Sequence, residues 1–354
     1  MTHLWVRAES RPNEDRVGIT PDGVAALTAQ GFTVTVEDSP RRVLPTDAYA
    51  RAGATIVPEG SWPTAPDDAI IFGLKELPED GTPLRHRHVM FGHAFKGQPA
   101  SQVLLRRFRD GGGRLYDLEY LTDDHGRRLA AFGYWAGYAG AAVSLKAWVA
   151  QARGGICGPV HAYADKALLL EELRAQLDAT GRPRPRALVI GAKGRVGSGA
   201  ADLLVEMNVP VTRWDMAETA HGGPFPEVLA HELFINAILA QPGAPVFVPA
   251  GAVAPGRALT VIGDVACDPT SDFSPVKVYD RTTTWDQPVL RVAENPVLDV
   301  MAIDNLPSML PRESSEDYAG QLLPVLAQLD RIEAGPWGRA GALYRDHAER
   351  LTQT

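Results

Sequence analysis

Cysteine is almost missing from this chain: Cys157 and Cys267 are the only two in 354 residues. Two such distant thiols form no disulfide framework, and neither stands at a metal-ligand spacing from another cysteine. Long apolar runs are missing too. The longest uncharged stretch, Ile235 to Gly256, carries Pro242, Pro245, Pro249 and Pro255, which a membrane helix would not tolerate. The start, MTHLWVRAESRPNEDR, lacks the apolar centre of a secretory signal. An excess of basic charge is lacking as well. With 35 Lys and Arg against 43 Asp and Glu, the net charge is -8, which argues against nucleic acid or an anionic membrane as partner. A small anionic substrate, which meets local arginines and lysines, is not excluded. The expectation is a soluble cytoplasmic chain without a metal, a monomer or small homo-oligomer acting on small molecules.

What is present is ordinary globular composition, 45% hydrophobic and 22% charged, at a length suited to about two domains. Strand-like runs alternate with helical stretches: His3–Val6, Phe32–Val36, Ala69–Leu74, His88–Gly92, Ala187–Ile190, Val209–Trp214, Leu233–Ile238, Val246–Val248 and Leu259–Ile262. That alternation predicts an α/β protein with parallel sheets. The stretch from Gly181 to about Ile262 reads as one nucleotide-binding sheet. Phe132 to Gln151 has no charge before Lys146 and is rich in Gly, Ala and aromatics, which predicts a buried helix packed closely between two domains. Glu316–Leu329 and Ala340–Leu351 are helical in pattern and are expected to return to the first domain. The expected division is 1–132 plus 310–354 as a substrate domain, and 133–309 as a dinucleotide-binding Rossmann domain.

ALVIGAKGRVGSGAADLL places Gly191, Gly194 and Gly197 after a strand and at the start of a helix. The first glycine permits the tight turn, the second lets the backbone approach a pyrophosphate, and the third lets helix and strand pack closely. Val196 opens the helix, expected over Val196–Met207, whose N-terminus favours anions. Asp215 ends the next strand, in VTRWD. A carboxylate there accepts hydrogen bonds from ribose hydroxyls and repels a 2′-phosphate, which predicts NAD over NADP, with Arg213 nearby as the opposing signal.

In the first half, charged groups follow strands directly: Lys75-Glu76 after IIFGL, and His93 after VMFG with Lys96 close behind. Lysine and histidine at adjacent strand ends form a plausible acid–base pair. Read alone, Lys75 fits a solvated strand end equally well, His93 a half-buried structural histidine, and Glu119 an ordinary element-end carboxylate.

Eight segments, in one order over nearly the whole chain, carry a resemblance. They are RAESRPNEDRVGITPDGV, GLKELPED, FGHAFKGQ, YDLEYL, GRRLAAFGYWAGYAGAA, GAKGRVGSGA, WDMAET and AIDNLPSMLPRESSEDY. The chain resembles the saccharopine dehydrogenases of fungal type (NAD, L-lysine-forming). More distantly it resembles alanine dehydrogenase and the lysine–ketoglutarate reductase part of bifunctional enzymes. The resemblance implies two Rossmann-like domains, the first discontinuous, with the active site in the cleft between them. NAD would oxidise the secondary amine of saccharopine, and water would release lysine and 2-oxoglutarate. Lys75 and His93 fall on the acid–base roles, Glu76 and Glu119 on tuning of the lysine, and Arg16, Lys96 and Arg128 on substrate carboxylates. Gly191, Gly194, Arg195, Val196, Gly197, Asp215 and Asp304 fall on the cofactor, Asp304 near the nicotinamide. Val196 stands where yeast-like members carry an oxidisable cysteine. Another opine-type dehydrogenase, an NADPH-dependent reductase and a silent NAD-binding module are the competing readings.

Overall fold

The computed structural model describes residues 1–75, 77–95, 99–239 and 241–351. It divides into two compact units, Met1–Ala131 with Pro311–Thr354, and Phe132–Leu310.

The first unit opens with β1 (His3–Val6), α1 (Pro21–Ala29), β2 (Thr33–Glu37), α2 (Thr46–Arg51), β3 (Thr55–Val57), β4 (Ile70–Phe72), β5 (Arg87–Met90), α3 (Pro99–Gly111) and β6 (Arg114–Asp117). The six strands are parallel, in the order β3-β2-β1-β4-β5-β6. β1, β4 and β5 are short runs buried at nearly every position, as expected of parallel strands covered on both faces. α1 begins where Thr20 accepts the Gly23 N–H and Pro21 fixes the first turn. The strand order reverses between β1 and β4. Their carboxyl ends therefore diverge into the kind of crevice where α/β sheets take ligands.

The second unit contains α4 (Gly133–Ala152), α5 (Lys166–Asp178), β7 (Ala187–Ile190), α6 (Arg195–Glu206), β8 (Val211–Trp214), α7 (Met216–Thr219), α8 (Pro226–Ala230), β9 (Leu233–Asn236), β10 (Val261–Asp264), β11 (Leu290–Glu294) and β12 (Val297–Met301). Its sheet runs β11-β12-β10-β9-β7-β8 and is parallel except for β11, which pairs antiparallel with β12. The sheet thus extends beyond Ile262, where the sequence reading stopped, to include a hairpin. Val246–Val248 is not a strand: Val248 makes only an isolated bridge to Val276. Pro245 and Pro249 flank it and deny a ladder its donors.

α4 lies wholly within the second unit, and its small residues serve close packing on α6 there. A Cβ on Gly137 would sit 1.7 Å from the Val196 carbonyl oxygen, and one on Gly199 would sit 1.9 Å from the Tyr134 carbonyl oxygen. Both obstacles are backbone, so neither can swing aside. Gly137→Ala should therefore cost about 1–3 kcal/mol through overpacking. It should also weaken dinucleotide binding, because the residue pushed is in the helix after the glycine loop. A melting curve with an NADH titration checks this, with Gly320→Ala as control. Nothing lies within 4 Å of a Cβ at Gly320. Equal melting temperatures for both variants would contradict the packing argument.

The chain then returns to the first unit as α9 (Pro311–Leu326) and α10 (Gly335–Leu351). Ser315 Oγ accepts the Val17 N–H at 2.9 Å, and the Trp337 indole donates to the Val325 carbonyl at 2.8 Å. Tyr344 joins the apolar cluster of Phe108 and Leu115. Among the described residues, no helix is long and apolar enough to cross a membrane, and no group of three or more His, Cys, Asp or Glu could hold a metal ion.

Candidate active site

Lys75 and His93 follow neighbouring strands. The Phe91 N–H donates to the Leu74 carbonyl at 2.9 Å, so β4 and β5 are still linked one residue before Lys75 and two before His93. His93 has φ 46°, in the left-handed region that non-glycine residues rarely adopt. Its Nδ1 lies 3.1 Å from Glu119 Oε2, and Arg128 Nη2 donates to Glu119 Oε1 at 2.6 Å. A carboxylate accepts, so Nδ1 is the protonated nitrogen and the lone pair of the neutral ring is on Nε2. Glu119 is placed by a short turn after β6, where Asp117 Oδ1 accepts the Glu119 N–H at 2.9 Å. Burial raises the Asp117 carboxyl above its ordinary value, against opposing contributions from the Glu119 N–H and from His93.

Arg16 is placed differently from a solvent-facing substrate ligand. It is 4% exposed, and Glu14, 2% exposed, binds it twice. Nε donates to Glu14 Oε1 at 2.7 Å and Nη2 to Oε2 at 2.5 Å. Burial alone would raise the Glu14 carboxyl, but the Arg16 guanidinium, with help from Lys75, holds it below its ordinary value. Lys75 is thus within electrostatic reach of the buried Glu14–Arg16 pair. Glu119, expected to tune Lys75, has His93 and Arg128 among its partners. Glu76 and Lys96 lie outside the described residues.

The return segment completes this edge. Tyr318 on α9 is fully buried, with Phe91 6.0 Å away between ring centroids. Arg16, Arg128 and Asp117 are its charged neighbours, and burial pushes its phenol up. Glu14, Asp117 and Tyr318 were not among the site residues expected from the sequence. Each lay inside a quoted segment, and a glutamate two residues before an arginine was the readable signal for the first.

In the second unit, Gly191 has φ 87°, and a Cβ on Gly197 would sit 2.1 Å from the Gly191 carbonyl oxygen. Gly194, the N-cap of α6, has only that oxygen nearby, at 3.3 Å from a Cβ, so its outer side is open. Arg195 and Val196 form the first turn of α6. Asp215 Oδ2 accepts the Lys193 N–H and Oδ1 the Met216 N–H, both at 2.9 Å, and these bonds lower its carboxyl below the ordinary value. This cradle fits a dinucleotide: space only glycine leaves, a helix N-terminus, and a carboxylate fixed at the end of the next strand. Asp304 is exposed after β12, beside Asn305, which accepts from the Trp285 indole at 2.8 Å. Its charge is felt by Cys267, whose thiol burial chiefly pushes up to about 12.

Two mostly parallel six-stranded sheets with a strand-order reversal in each define the alanine dehydrogenase fold. A solved L-alanine dehydrogenase superposes with a TM-score of 0.67 at 19% identity, covering 99% of this chain and 94% of that one. The family described as alanine dehydrogenase/PNT, N-terminal domain matches residues 5–139. By sequence, the chain belongs to the NAD-dependent, L-lysine-forming saccharopine dehydrogenases. It is 44% identical to the protein of that name from Candida glabrata, over 98% of this chain and 97% of the relative. It is 41% identical to the one from Schizosaccharomyces pombe, over 99% of each.

Proposed function

We propose that the chain oxidises saccharopine with NAD to L-lysine and 2-oxoglutarate, and that Lys75 and His93 move the protons. The observation that carries this reading is the His93–Glu119–Arg128 chain beside Lys75, at the ends of strands still joined by the Phe91–Leu74 hydrogen bond. When bound, NAD accepts the hydride. Glu119 on Nδ1 directs the basic lone pair of His93 to Nε2 and favours the imidazolium that forms as it takes a proton from attacking water. Lys75, whose charge reaches the buried Glu14–Arg16 pair, gives a proton to the departing lysine nitrogen. Arg16, Arg128 and Lys96 are the candidates for substrate carboxylates, the arginines through guanidinium forks and Lys96 as a point charge. Glu76 is assigned with Glu119 to tuning the pair. Gly191, Gly194, Arg195, Val196, Gly197 and Asp215 would hold NAD, with Asp304 toward the nicotinamide. The free thiols Cys157 and Cys267 support a cytoplasmic setting.

The test is NADH oxidation with 2-oxoglutarate and a panel of amino acids. Lysine is expected to give the highest kcat/KM. A tenfold preference for another amino acid would point to a different opine-type dehydrogenase, and no turnover at all to a silent module.

The coenzyme assignment has its own test. Asp215→Ala should weaken NADH binding about tenfold or more, the worth of a charge-assisted hydrogen bond. It should also narrow the preference over NADPH. Wild-type enzyme preferring NADPH tenfold would mean that Arg213 governs the site and would favour the reductase reading.

A further inference from the structure

Both hydrogen-bonding groups of the Lys75 main chain are taken by side chains from the end of β1. Glu9 Oε2 accepts the Lys75 N–H at 3.0 Å, and Oε1 accepts the Leu74 N–H at 2.6 Å. Arg7 Nη2 donates to the Lys75 carbonyl. Arg7 Nη1 also donates to Glu9 Oε2 at 3.3 Å, which closes a ring around this one residue. The Arg7 and Glu9 side chains are 2% and 10% exposed. Gly73 supplies independent support. A Cβ there would lie 2.4 Å from Arg7 Cζ and Nε, so the guanidinium occupies the volume of the missing side chain.

This ring bridges the strand-order reversal between β1 and β4, at the ligand-binding edge of the sheet. Lys75 stands three residues past β4, beyond the regular ladder, and its ammonium sits on a flexible four-carbon stem. Such a group is placed only as well as its own Cα. Catalytic geometry tolerates errors of about half an ångström. A buried ion pair adds little net stability compared with apolar packing, so stability is a poor reason for one at this edge.

We infer that Arg7 and Glu9 are positioning residues that fix the Lys75 main chain and thereby aim its ammonium. The inference rests on the reading of Lys75 as an acid–base group. Substituting them alters catalysis only through Lys75.

The experiment measures kcat, KM for NADH, the pH–rate profile and the melting temperature of Glu9→Gln and Arg7→Lys, each in the wild-type and Lys75→Met backgrounds. Glu9→Gln keeps the shape, but presents an amide N–H to one of the two main-chain donors. Arg7→Lys keeps the charge and loses the fork. The expected result is a ten- to hundredfold fall in kcat, a displaced limb of the pH profile and an unchanged KM for NADH. In the Lys75→Met background the same changes should cost less than twofold. Gly73→Ala, which displaces the guanidinium without removing a charge, should displace the same limb and serves if Arg7→Lys does not fold. A lowered melting temperature with kcat and pH profile unchanged would overturn the inference, as would equal losses in both backgrounds. If Lys75→Met itself keeps wild-type turnover, the acid–base reading falls first and takes this inference with it, so the two failures are distinguishable.

Discussion

Lys75→Met and His93→Gln should each lower turnover by roughly two to three orders of magnitude, within the range of a single acid–base group. Converting a secondary amine and water into an amine and a ketone moves protons in both directions. One group must relieve the water of a proton while another supplies the leaving nitrogen. His93 is equipped for the first by Glu119 on Nδ1, and Lys75 brings the ammonium for the second. NADH affinity should change little, because the dinucleotide cradle is built from β7, α6 and β8 in the second unit. The double variant should lose less than the product of the single losses if the two act as a unit. A solvated lysine and a structural histidine would behave otherwise, with turnover nearly normal and only the melting temperature of His93→Gln lowered. Turnover, NADH affinity and melting temperature on the same two variants decide.

The largest stability effect is expected at Glu14→Gln. The substitution keeps the shape and leaves the Arg16 guanidinium buried without its counter-charge. Breaking a buried pair in this way costs about 3–5 kcal/mol. The pH dependence has a definite sign. The folded carboxyl lies below its ordinary 4.5. Its contribution is therefore complete above about pH 4.5 and is lost as pH falls from there through the folded value. Wild type and variant should differ most at neutral pH and converge in acid, which urea unfolding at pH 7 and in acid would measure. A constant difference across that range would mean that the carboxylate charge contributes nothing.

The helices and strands that the sequence disclosed best were those with a single dominant signal. Ala187–Ile190 with its glycine loop is an apolar run followed by three small residues whose spacing has a backbone reason. α4 was legible for its lack of charge, but not its partner: small residues announce a close approach without saying to what. Short strands of mixed character, such as β6, and the β11–β12 hairpin were missed because pairing across a sheet stabilises them more than their own residues do. The site followed the same division. Lys75 and His93 stand out because a charge ends an apolar run, and Glu119 only through the segment YDLEYL. Glu9 and Glu14 do not, since their partners are Leu74 and Lys75 in one case and a neighbour two residues away in the other. A motif marks where chemistry sits, whereas the groups that support it come from wherever the fold returns.

The interruption of the first unit by the second bears on how the protein is made. β1 to β6 leave the ribosome before the second unit, yet Tyr318 and Trp337, both fully buried, and Tyr344 are synthesised only after it. Between them lies the whole second unit, whose translation takes on the order of ten seconds or more at 5–20 residues per second. During that time the nascent sheet is finished while the apolar surfaces destined for α9 and α10 stay uncovered. A chaperone would find its client there, and a chain released at Leu310 would carry an intact dinucleotide cradle beside an acid–base half that cannot close.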